Sequence, residues 1–279
     1  MATLSVGSRY PLPPLGSFLE RSREEWQRAG AQLSIREYQR GAWRVVAIQV
    51  EGEGDRPRQA VVRRLALLLA DTILEDWEGR LLQGILRHDY PFLSPEEKAF
   101  LQAEVEKELG QRSSWLARRT RIAARLEEYL LQDAHVTLEG FLRFRLPDYR
   151  RQLEEMVARA LERYLLQKEY DTFVALLREH VASHPKQPCQ VEILPGEGDR
   201  HRVLGLARGP VAVEGDDSLV SLMVAWNPER ILLHAWPSSG EFREAADMLA
   251  HIFGERLALC TGCDRCLLSF SGKDSSPQA

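Results

Sequence analysis

From Arg58 to His184 the apolar residues of this chain recur at helical spacing, so its middle must be built from helices. The longest such stretch is DYRRQLEEMVARALERYLLQKEYDTFVALLREHV. There Leu153, Met156, Val157, Ala160, Leu161, Tyr164 and Leu165 follow one another by three, one or four residues. Those steps align side chains along one stripe, which a helix buries against a neighbour. SSWLARRTRIAARLEEYLL repeats the pattern with Trp115, Ile122, Leu126 and Tyr129. AVVRRLALLLADTILEDWEGRLLQGIL is apolar on most faces, which predicts a central helix packed on several sides. SPEEKAFLQAEVEKEL carries its own boundaries: Ser94 as cap, Pro95 at the first helical position, acids in the first turn and Gly110 at the end.

Strand signals flank this helical middle. SFLERSREEWQRAG reads as a short helix closed by Gly30, and QLSIREYQ and WRVVAIQV read as a hairpin turning near Gly41. After SHPKQP, CQVEILPGEGDRHRVLGLA predicts two strands around a glycine-rich turn. DDSLVSLMVAW predicts a helix stopped at Asn227-Pro228. RILLHAW, EFREAADMLAHIF and RLALC then form a strand–helix–strand unit. The expected class is α+β, with a mainly helical middle and short sheet segments near both ends. The expected regions are 1–56 (helix and hairpin), 57–185 (helical), 186–270 (small α/β) and a disordered tail at 271–279.

A chain of 279 residues with 44% hydrophobic and 28% charged residues is composed like a globular protein. The net charge of −4 lacks the footprint of a dedicated nucleic-acid binder. The most apolar segment, LALLLA, is far shorter than the roughly 20 residues a membrane helix needs. No basic, apolar leader opens the chain, so the expectation is a cytoplasmic protein without a membrane partner. GEGDR occurs twice, at 52–56 and 196–200, but the third glycine of a phosphate loop is replaced by Pro57 and His201, so both copies read as turns.

The segment from Val136 to Val181 carries a recognisable pattern. Glu139-Gly140-Phe141 leads to Arg143-Phe144-Arg145-Leu146 and Asp148-Tyr149; the long helix then holds Lys168-Glu169-Tyr170 and Phe173. This pattern resembles the YtxC-like family. Pro147 departs from the polar residue expected before Asp148, which alters how two helices join. The resemblance implies a cytoplasmic, sporulation-associated protein of a spore-forming bacterium, and it carries over no catalytic residue. The expected mode of action is non-enzymatic, through contact with a protein partner. Phe141 and Phe144, three apart, are expected to share a buried face. Arg143 and Arg145, with Arg118, Arg119 and Arg121 of ARRTRIAAR, form an alternative anion or nucleic-acid contact, because guanidinium forks suit phosphate oxygens.

Chemistry concentrates near the C-terminus, where LALCTGCDRCLLSF holds Cys260, Cys263 and Cys266, three of the four cysteines. The spacing matches the start of a ferredoxin run, but Phe270 stands where its fourth cysteine belongs. A zinc site needs four ligands, so one must come from elsewhere. A strand–helix–strand unit makes its strands parallel, which brings His234 and Cys260 to the carboxyl ends of their strands. Carboxyl ends of parallel strands are where binding crevices form. Cys189 begins its strand and reaches that edge only if the strand runs antiparallel. The candidate metal ligands are therefore Cys260, Cys263, Cys266, His234 and Cys189, for zinc or an iron–sulfur centre. The competing reading is a loop of reduced thiols, as the cytosol favours.

Overall fold

The computed structural model describes residues 2–12, 15, 23–28, 30–195, 200–205, 209–234 and 241–263. The chain is α+β, with helices dominating its middle and sheets near both ends. It divides into two compact units, residues 1–164 and 165–279, so the division falls inside a helix. Among the described residues no helix is long and apolar enough to cross a membrane.

Unit one opens with β1 (Ala2–Ser8), α1 (Arg23–Arg28) and the expected hairpin, β2 (Gln32–Arg40) and β3 (Trp43–Glu51). Gly41 turns that hairpin at φ +61°, a conformation glycine adopts without strain. Four strands order as β2-β3-β1-β4, where β4 is His135–Thr137. β1 pairs antiparallel with β3, Leu4 opposite Ile48, and parallel with β4, Val6 opposite Val136. The alternation of Leu4 and Val6 is the strand signal at the N-terminus, and both are fully buried.

The helices of this unit follow the expected periodicity. α2 (Arg56–Thr72) runs into a π-turn (Ile73–Trp77), then α3 (Glu78–His88), α4 (Pro95–Leu109), α5 (Arg112–Gln132) and α6 (Leu138–Arg145). Ser94 and Glu97 form a reciprocal capping box at the start of α4. α7 (Pro147–Ser183) begins on Pro147, where the missing N–H has no helical partner to lose. One core joins the sheet to the helices: Leu4 and Ile48 meet Leu65, Leu69, Leu101, Leu126 and Leu153, all with 0% exposure. Each such leucine stabilises the fold by about 1.5–3 kcal/mol relative to exposure. The hairpin region and helical region therefore share a core. Phe141 is buried there, but Phe144 is 71% exposed, because it stands outside the stripe of Leu138, Phe141 and Leu142 on the same helix.

Unit two builds its own core on the C-terminal part of α7 and a second, separate sheet. Its strands are β5 (Gln187–Pro195), β6 (Arg200–Leu204), β7 (Val211–Glu214), β8 (Pro228–Leu233) and β9 (Leu257–Leu259), ordered β7-β6-β5-β8-β9. β5, β8 and β9 run parallel, while β6 and β7 run antiparallel beside them. α8 (Asp216–Trp226) leads into β8, and α9 (Glu241–Phe253) separates β8 from β9. Val191, Ile193, Ile231 and Leu233 of the sheet pack with Leu219 and Met223 of α8 and Leu249 of α9. Buried His201 bonds Asp216 at 2.8 Å, and the other Asp216 oxygen accepts from the Ala245 N–H at 3.2 Å, so one carboxylate ties β6 to α8 and α9. Of the second GEGDR copy, Gly196 to Asp199 lie outside the described residues, as does the tail 271–279.

Candidate metal centre

β8 and β9 are parallel neighbours, Leu233 opposite Leu259, so each strand ends at the same rim of the sheet. The residue after each strand end carries the chemistry: His234 after β8 and Cys260 after β9. Backbone bonds extend the ladder through both. The His234 N–H donates to Ile193 O at 2.9 Å, and the Cys260 N–H donates to Leu233 O at 2.9 Å. Two further residues bring Cys263 back over the rim, where Gly262 supplies φ +123°. L-residues with a Cβ rarely adopt that value, so this glycine is what permits the return.

The result is a compact donor set. One ligand atom from each of His234, Cys260 and Cys263 lies within 4.8 Å of the others. Cys263 Sγ is 3.5 Å from His234 Nδ1. On the far side of the ring, His234 Nε2 is 3.4 Å from Glu192 Oε2 of β5. The imidazole is 3% exposed, while Glu192 and the two thiols are partly open to solvent. Thus the ring is held between a carboxylate and a sulfur, with Nδ1 facing Cys263.

Seven other candidate ligands or contacts are expected from the sequence, and six of them lie away from this donor set. Cys189 lies at the amino end of β5, because β5 runs parallel to β8 and not against it; it belongs to the opposite rim. Cys266 lies outside the described residues. Arg118 is 3% exposed and pairs with Glu78 at 3.1 Å, with further bonds to Ser114 Oγ and Leu109 O. Arg119 grips Asp71 with Nε and Nη2. Both side chains are thus committed to internal carboxylates rather than to a shared basic surface. Arg121 donates to Gln152 Oε1 at 3.5 Å; Arg143 and Arg145 lie over the rings of Phe144 and Tyr129 at 5.3 and 5.2 Å.

Glu192 was not foreseen as part of the rim. Its signal was its place in the strand that flanks β8, readable only once the strand order is known.

The YtxC-like family model matches residues 63–205, more than half of the chain. The chain belongs to the YtxC-like family. No curated protein and no solved structure matches it. The matched segment of this YtxC-like chain ends before β8, so His234, Cys260 and Cys263 lie beyond it. Within the match fall the helical middle and the first two strands of the second sheet, Glu192 included.

Proposed function

We propose that this YtxC-like protein binds zinc at the rim of its C-terminal sheet, and that the bound metal is structural. The observation that carries the reading is the gathering of one ligand atom each from His234, Cys260 and Cys263 within 4.8 Å. A tetrahedral zinc with Zn–S near 2.3 Å and Zn–N near 2.0–2.1 Å separates sulfur and nitrogen by about 3.6 Å. The 3.5 Å between Cys263 Sγ and His234 Nδ1 fits that spacing. Glu192 beside Nε2 fits too, since metal-bound histidines commonly give their second N–H to a carboxylate, which fixes the tautomer. Cys266, three residues beyond Cys263, is the proposed fourth ligand; three residues of extended chain span about 10 Å. Four protein ligands leave no open position for substrate, which favours a structural role over catalysis. The mixed nitrogen and sulfur donors, and Phe270 in place of a further cysteine, favour zinc over an iron–sulfur cluster.

In this reading the metal clamps the chain that follows β9 to the end of β8. The wider role is sporulation-associated, cytoplasmic and non-enzymatic, exerted through a protein partner. Its support is the family resemblance at Val136 to Val181, not the metal site. Elemental analysis of untagged protein tests the metal: His234→Ala and Cys263→Ser each lose zinc, while Cys189→Ser keeps it. Zinc retained at wild-type level in both former variants overturns the reading. Pull-down from sporulating cells tests the partner, and recovery of none that is reproducible counts against contact as the mode of action.

A further inference from the structure

Within unit one a cleft of about 80 Å³ opens between α5, the end of α6 and the start of α7. Its floor is a closed network: Arg118 pairs with Glu78, and the Tyr149 hydroxyl donates to the same carboxylate. The floor is therefore balanced in charge. The walls are not. Arg121 and Arg125, one turn apart on α5, face Arg145 from α6, with Asp148 as the acid of the wall.

The three wall arginines are held only loosely. Arg121 meets the neutral Gln152 amide at 3.5 Å, and Arg145 rests on Tyr129. Arg125 pairs with Glu128 at 3.7 Å, both about 60% exposed, where solvent leaves an ion pair little strength. Asp148 is 79% exposed and lies 3.9 Å from Arg151, so it neutralises at most one of them. Guanidinium forks that converge with surplus charge suit the oxygens of a phosphate. Glu128 beside Arg125 and Asp148 in the wall set acids among these arginines, which breaks up the basic surface that a nucleic-acid strand would follow.

We propose that this cleft binds the phosphate group of a small phosphate monoester, through Arg121, Arg125 and Arg145. A monoester concentrates on one group the negative charge that a polymer spreads along its length. The site is independent of the metal centre.

Calorimetric titration of the full-length protein with inorganic phosphate, then with a nucleoside monophosphate, tests it at constant ionic strength. Both bind saturably, and Arg121→Gln with Arg145→Gln weakens them at least about tenfold, as loss of charge-assisted bonds demands. Both residues are exposed, so the denaturation midpoint stays at its wild-type value and a folding defect is excluded. Arg87→Gln, which removes a charge from α3 outside the cleft, leaves binding within twofold. The proposal fails if phosphate shows no saturable binding, if the cleft variant binds as wild type, or if Arg87→Gln weakens binding equally. It fails also if a short oligonucleotide binds far more tightly than the monophosphate through the same arginines.

Discussion

Glu78 is buried between Arg118 and Tyr149, and burial pushes its carboxyl above the usual carboxylate range, against the pull of Tyr149 and Arg118. The same desolvation, with Glu78 beside it, pushes the Tyr149 hydroxyl up, so it stays protonated as a donor. Removing one member of such a pair strands the other, which costs about 3–5 kcal/mol. Arg118→Met is expected to lower stability by that amount in urea denaturation, and adding Glu78→Gln recovers part of it. A raised folded value has a definite sign. The fold holds the Glu78 proton where the unfolded chain releases it, so stability falls as pH rises from 4.5 through the folded value. Above that value the loss is complete, and Glu78→Gln removes this slope. None of this is legible in the sequence: Glu78 and Arg118 are 40 positions apart, and only tertiary contact pairs them. Phe144 teaches the same lesson: it shares α6 with Phe141, but the buried stripe is Leu138, Phe141 and Leu142, and Phe144 falls beyond its edge.

At the scale of elements, Asn227 is the joint of unit two. It ends α8 in the left-handed conformation, φ 49° and ψ 54°. Its Nδ2 donates to Val181 O and His184 O at 3.0 and 3.1 Å, while Oδ1 accepts from Arg256 at 2.8 Å. Glycine tolerates the backbone better than asparagine, but it abandons those partners in a buried place. Asn227→Gly is therefore expected to destabilise the fold by at least about 1–3 kcal/mol, measured by denaturant midpoint. A neutral result means the backbone conformation alone decides this position. Periodicity and stop signals located α4, α8, α9 and the hairpin β2–β3, because caps, glycines and Asn-Pro act locally. β4 and β7, three and four residues long, hold too few positions for a pattern, and their place depends on β1 and β6. The parallel β8–β9 pair followed from the helix between them, and with it the meeting of His234 and Cys260. Glu192 depends on which strand flanks β8, which no local signal states.

Over the whole molecule, each unit owns a core: Leu4 to Leu161 in one, Val174 to Phe253 in the other. Metal held by the folded state alone stabilises only what its ligands join, by about 2.7 kcal/mol at a hundredfold excess over Kd. A strong chelator is thus expected to raise amide hydrogen exchange in β8, α9 and β9, and to leave β1, β3 and α2 at their original protection. Equal loosening of both cores contradicts a site confined to unit two. The family match spans 63–205 and so crosses the division at 164/165, while the ligands lie past its end. The match therefore covers the residues that line the cleft of unit one, and of the rim it covers Glu192 but not His234, Cys260 or Cys263. X-ray absorption at the zinc edge, on untagged full-length protein, addresses the metal most directly. About one zinc per chain with a sulfur shell near 2.3 Å and a nitrogen near 2.0–2.1 Å is the predicted result. Zinc below roughly a tenth of an equivalent after purification in its presence, or a shell of oxygens without sulfur, contradicts it.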